Sequence, residues 1–226
     1  MKRITVLLAE DHMVVRQGLR AILSAESDIE VIGEAANGRH AVEMTRKLHP
    51  DVVVMDIAMP LLNGLEATRQ ILKLFPAAKV LILSAHSDDE YIDRVIALGA
   101  VGYLIKQSSA EFLSKAIREA QKGNLVYSPT VSKRLQAHET KSSTRQGEFI
   151  TNKASRLTSR EVELVQLVAE GKANKQIAVE LDISIKTVEK HRQALMQKLD
   201  IHDTAGLTRY AIAAGIIENS VQVTII

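Results

Sequence analysis

The chain has 226 residues, of which 46% are apolar and 25% charged, so its composition is that of a globular protein with material for two small domains. It has no cysteine, which excludes disulfides and thiolate metal sites, and no signal peptide or apolar run near the roughly 18–20 residues of a membrane span, so we expect a cytoplasmic protein without a membrane contact. Residues 1–130 have a net charge of −1 and residues 131–226 one of +3, a weak indication that only the second half binds nucleic acid.

From residue 3 to about 121, short β-rich apolar runs alternate with longer segments of helical periodicity. The predicted strands are ITVLLA, IEVIGEA, DVVVMD, KVLILSA and GYLIK, and the predicted helices lie near residues 13–25, 38–48, 64–74, 88–98 and 110–121. Five consecutive strand–helix units predict an α/β domain with a mostly parallel sheet and helices on both faces.

Polar side chains that can handle a phosphoryl group follow the ends of these strands. Glu10 and Asp11 follow the first strand, Asp56 ends the third, Ser84 ends the fourth and Lys106 ends the fifth. Because the ligand crevice of an open parallel sheet lies at the carboxyl ends of its strands, we expect all five residues to converge.

The three carboxylates of this set indicate a metal site. Three carboxylates within about 5 Å would repel one another by roughly 3 kcal/mol per pair at an effective dielectric near 20, so the cluster needs a cation. Mg²⁺ is the natural candidate because it prefers oxygen ligands and commonly bridges carboxylates to a phosphoryl group. We expect Glu10 and Asp11 to hold the metal, Asp56 to be the nucleophile toward phosphorus, and Lys106 and the Ser84 hydroxyl to contact the phosphoryl oxygens.

The second half of the chain reads as all-helical after a polar linker. Residues 137–155 lose both periodicities and are rich in Ser, Thr, Lys and Gln, as an exposed linker would be. We expect a helix over residues 128–138 to extend into this linker. Four helices follow, with Thr158 or Ser159, Asn174 and Ser184 as predicted N-caps and a last helix over roughly 204–214. The pattern predicts a compact four-helix bundle.

The segment NKQIAVELDISIKTVEKHRQALMQKL reads as two helices joined by a tight LDIS turn, the spacing of a helix-turn-helix that reads DNA. On its second helix, Val188, Leu195 and Leu199 form a stripe that should face the core. The opposite stripe is polar and long enough to reach a major groove, although such a stripe can also be a solvated face. Its members are Lys186, Glu189, Lys190, Gln193 and Gln197.

Two further features of these helices stay open at this point. His191 beside the polar stripe is expected to pack or to contact a phosphate rather than to read a base. On the last helix, four residues recur at helical spacing, and core packing and a dimer contact explain the pattern equally well. They are Leu207, Tyr210, Ala211 and Ala214.

Residues 1–121 resemble the receiver domain of bacterial two-component response regulators, through VLLAEDH, VMDIAMPLLNGLEATRQI, ILSAHSD and GYLIK. The resemblance implies a five-stranded, doubly wound parallel sheet of flavodoxin-like order 2-1-3-4-5. It also implies that Asp56 accepts a phosphoryl group from a histidine kinase. Ser84 and Tyr103 match the switch pair of that family, in which the hydroxyl moves toward the phosphoryl group and the aromatic ring follows inward.

The same resemblance implies a Mg²⁺ site formed by Glu10, Asp11, Asp56 and the backbone carbonyl of Ala58. Glu10 stands where many members of the family have aspartate.

Residues 157–215 resemble the LuxR-type helix-turn-helix, through LTSREVELVQLVAEGKANKQIA and KTVEKHRQALMQKL. By that resemblance Glu189, Lys190 and Gln193 lie nearest the bases, whereas Lys186 and Thr187 contact backbone phosphates. The family usually dimerises on DNA through its last helix, so we expect a homodimer.

The combination resembles the NarL/FixJ class of response regulators. The predicted domains are a receiver at 1–122, a linker at 123–155, a helix-turn-helix domain at 156–217 and a tail at 218–226. Together they predict a DNA-binding regulator, not an enzyme, in which phosphorylation of Asp56 controls dimerisation, promoter binding and transcription.

Two functions of other classes compete with this interpretation. An aspartyl-phosphate phosphatase also uses a strand-end aspartate, but such enzymes typically need a second acid two positions later, where this chain has Ala58. A protein-interaction adaptor would use the helices to bind a partner, and salt-sensitive binding to duplex DNA would separate the two. RNA binding is less favoured because aromatic residues are only 3% of the chain.

Overall fold

The computed structural model describes residues 3–85, 89–142 and 157–218, and the chain divides into two compact units, Met1–Phe149 and Ile150–Ile226. None of the helices in these ranges is both long and apolar enough to cross a membrane. Residues 143–156 and 219–226, which include parts of the predicted linker and tail, lie outside the described residues.

The first unit is a doubly wound parallel sheet, as predicted. Its strands have the order β2-β1-β3-β4-β5-β6, and every neighbouring pair is parallel. In chain order the elements are β1 (Ile4–Ala9), α1 (Met13–Ser24), β2 (Ile29–Ala35), α2 (Gly38–Leu48), β3 (Val52–Met55), α3 (Gly64–Leu74), β4 (Val80–Ser84), α4 (Asp89–Leu98), β5 (Gly102–Ile105), α5 (Ala110–Gln121), β6 (Val126–Tyr127) and α6 (Pro129–Ser142).

Both faces of the central strands are buried because their residues are apolar without alternation. Val53 and Met55 of β3 pack on the side covered by α2, α3 and α4, whereas Val52 and Val54 pack on the side covered by α1 and α5. Burying both faces removes a large apolar area from water, which stabilises the fold by about 25 cal/mol for each Å² buried. This burial holds in place the strands that carry the polar residues at their ends.

The structure adds β6 to the predicted elements, and α6 covers most of residues 128–138, where we expected a helix to extend into the linker; both elements lie within the segment 123–155. Val126 pairs with Gly102 of β5, and a Cβ on Gly102 would lie 2.2 Å from the Val126 carbonyl oxygen, so the close approach requires glycine. A two-residue strand is too short to produce a periodicity, which explains why sequence patterns missed it.

In the second unit, residues 157–218 form four helices, as predicted: α7 (Ser159–Ala169), α8 (Asn174–Leu181), α9 (Ile185–Leu199) and α10 (Thr204–Ala213). Thr158 and Glu161 form a capping box at the start of α7, and Ser184 caps α9 by accepting from the Thr187 amide at 3.1 Å. Asn174 is the first residue of α8 rather than its N-cap, and its side chain instead accepts a hydrogen bond from Arg192 of α9 at 2.7 Å. The helix pair α8 and α9 therefore has a defined packing geometry.

Candidate phosphoacceptor site and nucleic-acid interface

Acidic side chains converge at the carboxyl ends of β1 and β3. One ligand atom from each of Glu10, Asp11, His12 and Asp56 can be chosen so that all of them lie within 4.8 Å of one another. The side chains of Glu10 and Asp56 are almost fully buried, whereas that of Asp11 is partly exposed. The predicted group of three carboxylates is therefore one pocket in the structure.

Lys106, which directly follows β5, provides the positive charge inside this pocket. Its Nζ lies 2.7 Å from Glu10 Oε2 and 2.9 Å from Asp56 Oδ2. Its backbone amide donates to the Ser84 carbonyl at 2.8 Å, and Ser84 is itself buried at the end of β4. The strand register thus brings the predicted lysine and serine to the same edge of the sheet as the carboxylates.

Burial and charge shift the acid–base behaviour of the pocket. Burial, with the added repulsion of Glu10, raises the pKa of Asp56 from its ordinary value of 3.8 to about 6, although Lys106 and a hydrogen bond from the Ile57 amide oppose the shift. Burial alone would lower the pKa of Lys106, but attraction to Asp56 and hydrogen bonds to Glu10 and Asp56 raise it above its ordinary value. One lysine is therefore not enough to stabilise the fully ionised cluster.

The carboxylate oxygens of the pocket are suitable ligands for a small divalent cation. Among the described residues, the buried Glu10 Oε2 and Asp56 Oδ2 share the Lys106 ammonium and have no other hydrogen-bonding partner, and Asp11 Oδ1 contacts only the His12 imidazole, at 2.9 Å. Buried carboxylate oxygens that share a single donor are costly, and hard oxygen ligands are those that Mg²⁺ prefers. Ala58, whose carbonyl we predicted as a further ligand, lies two residues after Asp56 in the loop before α3.

The loop after Asp56 depends on a close approach that sequence reasoning missed. The Gly64 amide donates to the Ile57 carbonyl at 2.8 Å, and a Cβ on Gly64 would lie only 1.8 Å from the Asp56 carbonyl oxygen. Asn63 caps α3 by accepting from the Glu66 amide at 2.9 Å. The start of α3 can therefore lie against the Asp56 backbone only with glycine at this position. The signal for it, an Asn-Gly pair at the start of a helical pattern, was present in the sequence.

The predicted switch residues Ser84 and Tyr103 are both buried, and Tyr103 is fully enclosed in the core on the α2–α4 side of the sheet. They lie on the neighbouring strands β4 and β5, where Tyr103 pairs with Ile82. The aromatic ring thus has the inward position expected of one state of the pair, and movement between states stays a prediction.

In the second unit, α9 separates its residues as the sequence predicted. Val188, Leu195 and Leu199 are buried. The polar stripe is exposed at Lys186, Glu189, Lys190, Gln193 and Gln197, whereas Thr187 is half-buried and its hydroxyl lies 2.8 Å from that of Ser184. His191 is exposed, so it does not pack in the core.

A pocket of about 350 Å³ lies beside this stripe. It is lined by Asn174, Glu189, Arg192, Gln193, Met196, Gln197, Ile201 and His202. Arg192 joins the walls, because it donates to Asn174 of α8 at 2.7 Å and to the Thr204 hydroxyl of α10 at 3.0 Å. Three helices are thereby held around the polar stripe by one guanidinium.

Of the four residues predicted as core or dimer contacts at the last helix, most lie in the core of the second unit. Leu207 and Ala211 are completely buried, Ala214 is 5% exposed, and Tyr210 is half-buried. Helix α10 packs against α7, so these side chains already have partners within their own unit. Burial corrects the dimer assignment for Leu207 and Ala211, whereas a dimer contact by Tyr210 or by exposed residues of α10 stays a prediction.

A doubly wound domain with an acidic strand-end pocket, followed by a helix-turn-helix bundle, defines a response regulator with a DNA-binding output domain. Residues 6–118 match the family model described as response regulator receiver domain, and residues 155–211 match the one described as bacterial regulatory proteins, luxR family.

Known proteins match the chain over nearly its whole length, across both parts. The chain is 41% identical over 208 residues to the transcriptional regulatory protein LiaR of Bacillus subtilis, which covers 92% of this chain and 96% of LiaR. The crystal structure of ChrA, the response regulator of a heme-sensing two-component system, is 33% identical with a TM-score of 0.52, over 96% of this chain and all of ChrA. A structure of two RcsB dimers bound to two parallel DNAs is 26% identical with a TM-score of 0.57, over 92% of this chain and 98% of RcsB.

The chain belongs to the NarL/FixJ family of response regulators. It is thus a transcription regulator of a two-component system with a receiver domain and a LuxR-type DNA-binding domain, and its relatives are regulators rather than enzymes.

Proposed function

We propose that Asp56 accepts a phosphoryl group from a sensor histidine kinase and that this modification controls dimerisation and promoter binding through α9. The pocket itself carries the proposal. A carboxylate oxygen of the buried Asp56 lies within 4.8 Å of a carboxylate oxygen of Glu10 and of Asp11, and Asp56 Oδ2 lies 2.9 Å from Lys106 Nζ. In this receiver, Glu10, Asp11, Asp56 and the Ala58 carbonyl would hold Mg²⁺, which when bound neutralises the carboxylates and the incoming phosphoryl oxygens.

The residues of the chain account for the transfer. A carboxylate oxygen of Asp56 forms a bond to phosphorus while the bond from phosphorus to the donor nitrogen breaks, which yields an acyl phosphate. Asp56 must be ionised for this attack, and with a pKa of about 6 it is mostly ionised at neutral pH. Lys106 then exchanges its Asp56 contact for a phosphoryl oxygen, and the Ser84 hydroxyl donates to another.

The output follows from charge and exposure on α9. Lys186 and Thr187 contact backbone phosphates, and Glu189, Lys190, Gln193 and Gln197 face base edges in the major groove. The 26% identity to RcsB, of which dimers have been seen on DNA, supports a homodimer on duplex DNA. Because the α10 residues Leu207 and Ala211 are buried, the proposal assigns the dimer contact to no particular side chain.

The decisive experiment combines modification with binding. The full chain is incubated with a small acyl phosphate and Mg²⁺, and intact-mass measurement should detect one added phosphoryl group that is absent from Asp56→Asn. Duplexes selected from a random pool by the phosphorylated chain are then titrated with both forms. Equal affinity of the two forms would refute the switch, and absence of the adduct from the unaltered chain would refute the phosphoacceptor assignment.

A further inference from the structure

Arg16 of α1 reaches back to the loop that carries both acids after β1. Its Nη1 donates to the carbonyl of Glu10 at 2.6 Å and lies 3.3 Å from the carbonyl of Asp11. Its Nε donates to Glu34 Oε2 at 3.1 Å. The side chain is only 16% exposed, so one guanidinium joins α1, the acidic loop and the end of β2 in a largely desolvated position.

This contact acts on the residues that would hold the metal, although Arg16 touches neither of their carboxylates. On the other side of the loop, the Glu10 amide donates to Ala35 at the end of β2, at 2.9 Å, and the His12 amide donates to Glu10 Oε1 at 3.1 Å. If the guanidinium is removed, both loop carbonyls lose this donor. The Glu10 side chain keeps its contact with Lys106, but the backbone that carries the two acids loses its anchor on the carbonyl side.

The positive charge of Arg16 would by itself weaken metal binding, because a nearby cation repels a bound metal ion. Glu34 offsets this charge, since its carboxylate contacts Arg16 on one oxygen and Arg20 on the other. Arg20 is 59% exposed, so water and salt screen most of its field. With its charge largely offset, Arg16 acts on the loop chiefly through its hydrogen bonds to the two carbonyls.

We infer that Arg16 is a positioning residue for the divalent-cation site: through the carbonyls of Glu10 and Asp11 it holds the two carboxylates in the arrangement that binds Mg²⁺. The inference rests on the proposed function, because it requires that the pocket binds the metal. A planar guanidinium can bridge three acceptors at once, whereas the ammonium of lysine has no such fork. Outer-sphere partners that orient ligands in this way typically contribute about 10- to 100-fold to metal affinity.

The test is a Mg²⁺ titration of the full chain by calorimetry, with Arg16→Ala, Arg16→Lys and Arg20→Ala. Arg20→Ala is the matched control, because Arg20 also pairs with Glu34 and lies one turn along α1, but contacts neither loop carbonyl. We expect Arg16→Ala to bind Mg²⁺ about 10-fold more weakly, Arg16→Lys to be intermediate and Arg20→Ala to stay close to the unaltered chain.

Thermal unfolding in EDTA and in excess Mg²⁺ provides a second readout that does not depend on phosphorylation. The stabilisation by Mg²⁺ should shrink in Arg16→Ala but not in Arg20→Ala. Equal Mg²⁺ affinity of Arg16→Ala and the unaltered chain would overturn the inference and leave the proposed function standing. A loss shared equally by Arg20→Ala would also overturn it, by assigning the effect to Glu34, and absence of Mg²⁺ binding by the unaltered chain would overturn both proposals. If Arg16→Ala does not fold, Arg16→Lys against Arg20→Ala decides the question.

Discussion

Replacing Asp56 by asparagine should stabilise the first unit at neutral pH when no divalent cation is present. The asparagine side chain is close in shape to the protonated acid but carries no charge to bury beside Glu10. In the unaltered chain that charge is unfavourable, because burial and repulsion raise the pKa of Asp56 from 3.8 to about 6. The substitution removes the cost of ionising a buried group.

The size of the effect follows from proton linkage. A pKa raised from 3.8 to about 6 corresponds to about 3 kcal/mol between the two protonation states, and this is the gain expected for Asp56→Asn at pH 7.5 in EDTA. The sign is that of an acid whose folded-state pKa is raised: between pH 4 and 6 the native state binds more protons than the unfolded state. The unaltered chain therefore gains stability as the pH falls from 7 toward 4, and the advantage of the variant disappears over that range.

Urea unfolding followed by circular dichroism, at several pH values between 4 and 8, measures this difference. Mg²⁺ at 100 times its Kd adds about 2.7 kcal/mol to the state that binds it and should cancel most of this difference near neutral pH, and at about 1,000 times its Kd it adds about 4.1 kcal/mol and should reverse the order. Asp28→Asn is the contrasting control, because hydrogen bonds from Arg118 lower the pKa of Asp28 and the substitution should destabilise most at neutral pH. An Asp56→Asn variant no more stable than the unaltered chain at pH 7.5 in EDTA, or a gain independent of pH, would refute the reasoning.

Three other substitutions, with Gly18→Ala as a control, test the loop and the DNA surface. Gly64→Ala should destabilise the first unit and slow phosphorylation from an acyl phosphate, because its Cβ would meet a backbone oxygen at 1.8 Å; Gly18→Ala, with no atom within 4 Å, should instead stabilise by about 1 kcal/mol. Gln193→Ala should reduce binding to the selected duplex by about 1–3 kcal/mol and relax preference at one base pair. Lys186→Ala should weaken binding to all duplexes alike and reduce the salt slope by about one. A Gly64→Ala variant as stable as the unaltered chain, or identical sequence preference in Gln193→Ala, would contradict these assignments.

The sequence was informative wherever function depends on where a strand ends. Glu10, Asp56 and Lys106 are separated by tens of residues, yet all meet at one edge because parallel strands bring their carboxyl ends together. On α9 the same holds for helical periodicity, which separated buried Val188 from the exposed Gln193. Periodicity predicts which face a residue lies on, and these features need nothing more.

Features that depend on side-chain reach or on close approach could not be predicted in that way. Arg16 and His12 both contact the acidic loop, but in the sequence they are only a charged and a polar residue at the start of a helix. On α10, the stripe of Leu207 and Ala211 has the same spacing whether it faces α7 or a second chain, and only the burial decides for the core. A pattern within one element does not identify the partner of its apolar face.

The electrostatics of the pocket also limit how the proposed switch can work. Phosphorylation replaces the single negative charge of Asp56 by a group of about −1.5 to −2, so it adds negative charge to the pocket, whereas converting a population from 1% to 99% active requires about 5.5 kcal/mol of differential stabilisation. Relief of charge therefore cannot drive the switch. The stabilisation must come from contacts made only in the active state, either by the phosphoryl oxygens with Lys106 and Ser84 or by association of two chains on DNA. The fraction of a two-half-site duplex that is bound should thus rise more steeply with the concentration of the phosphorylated chain than the bound fraction of a duplex with one half-site, because dimerisation contributes part of the binding free energy.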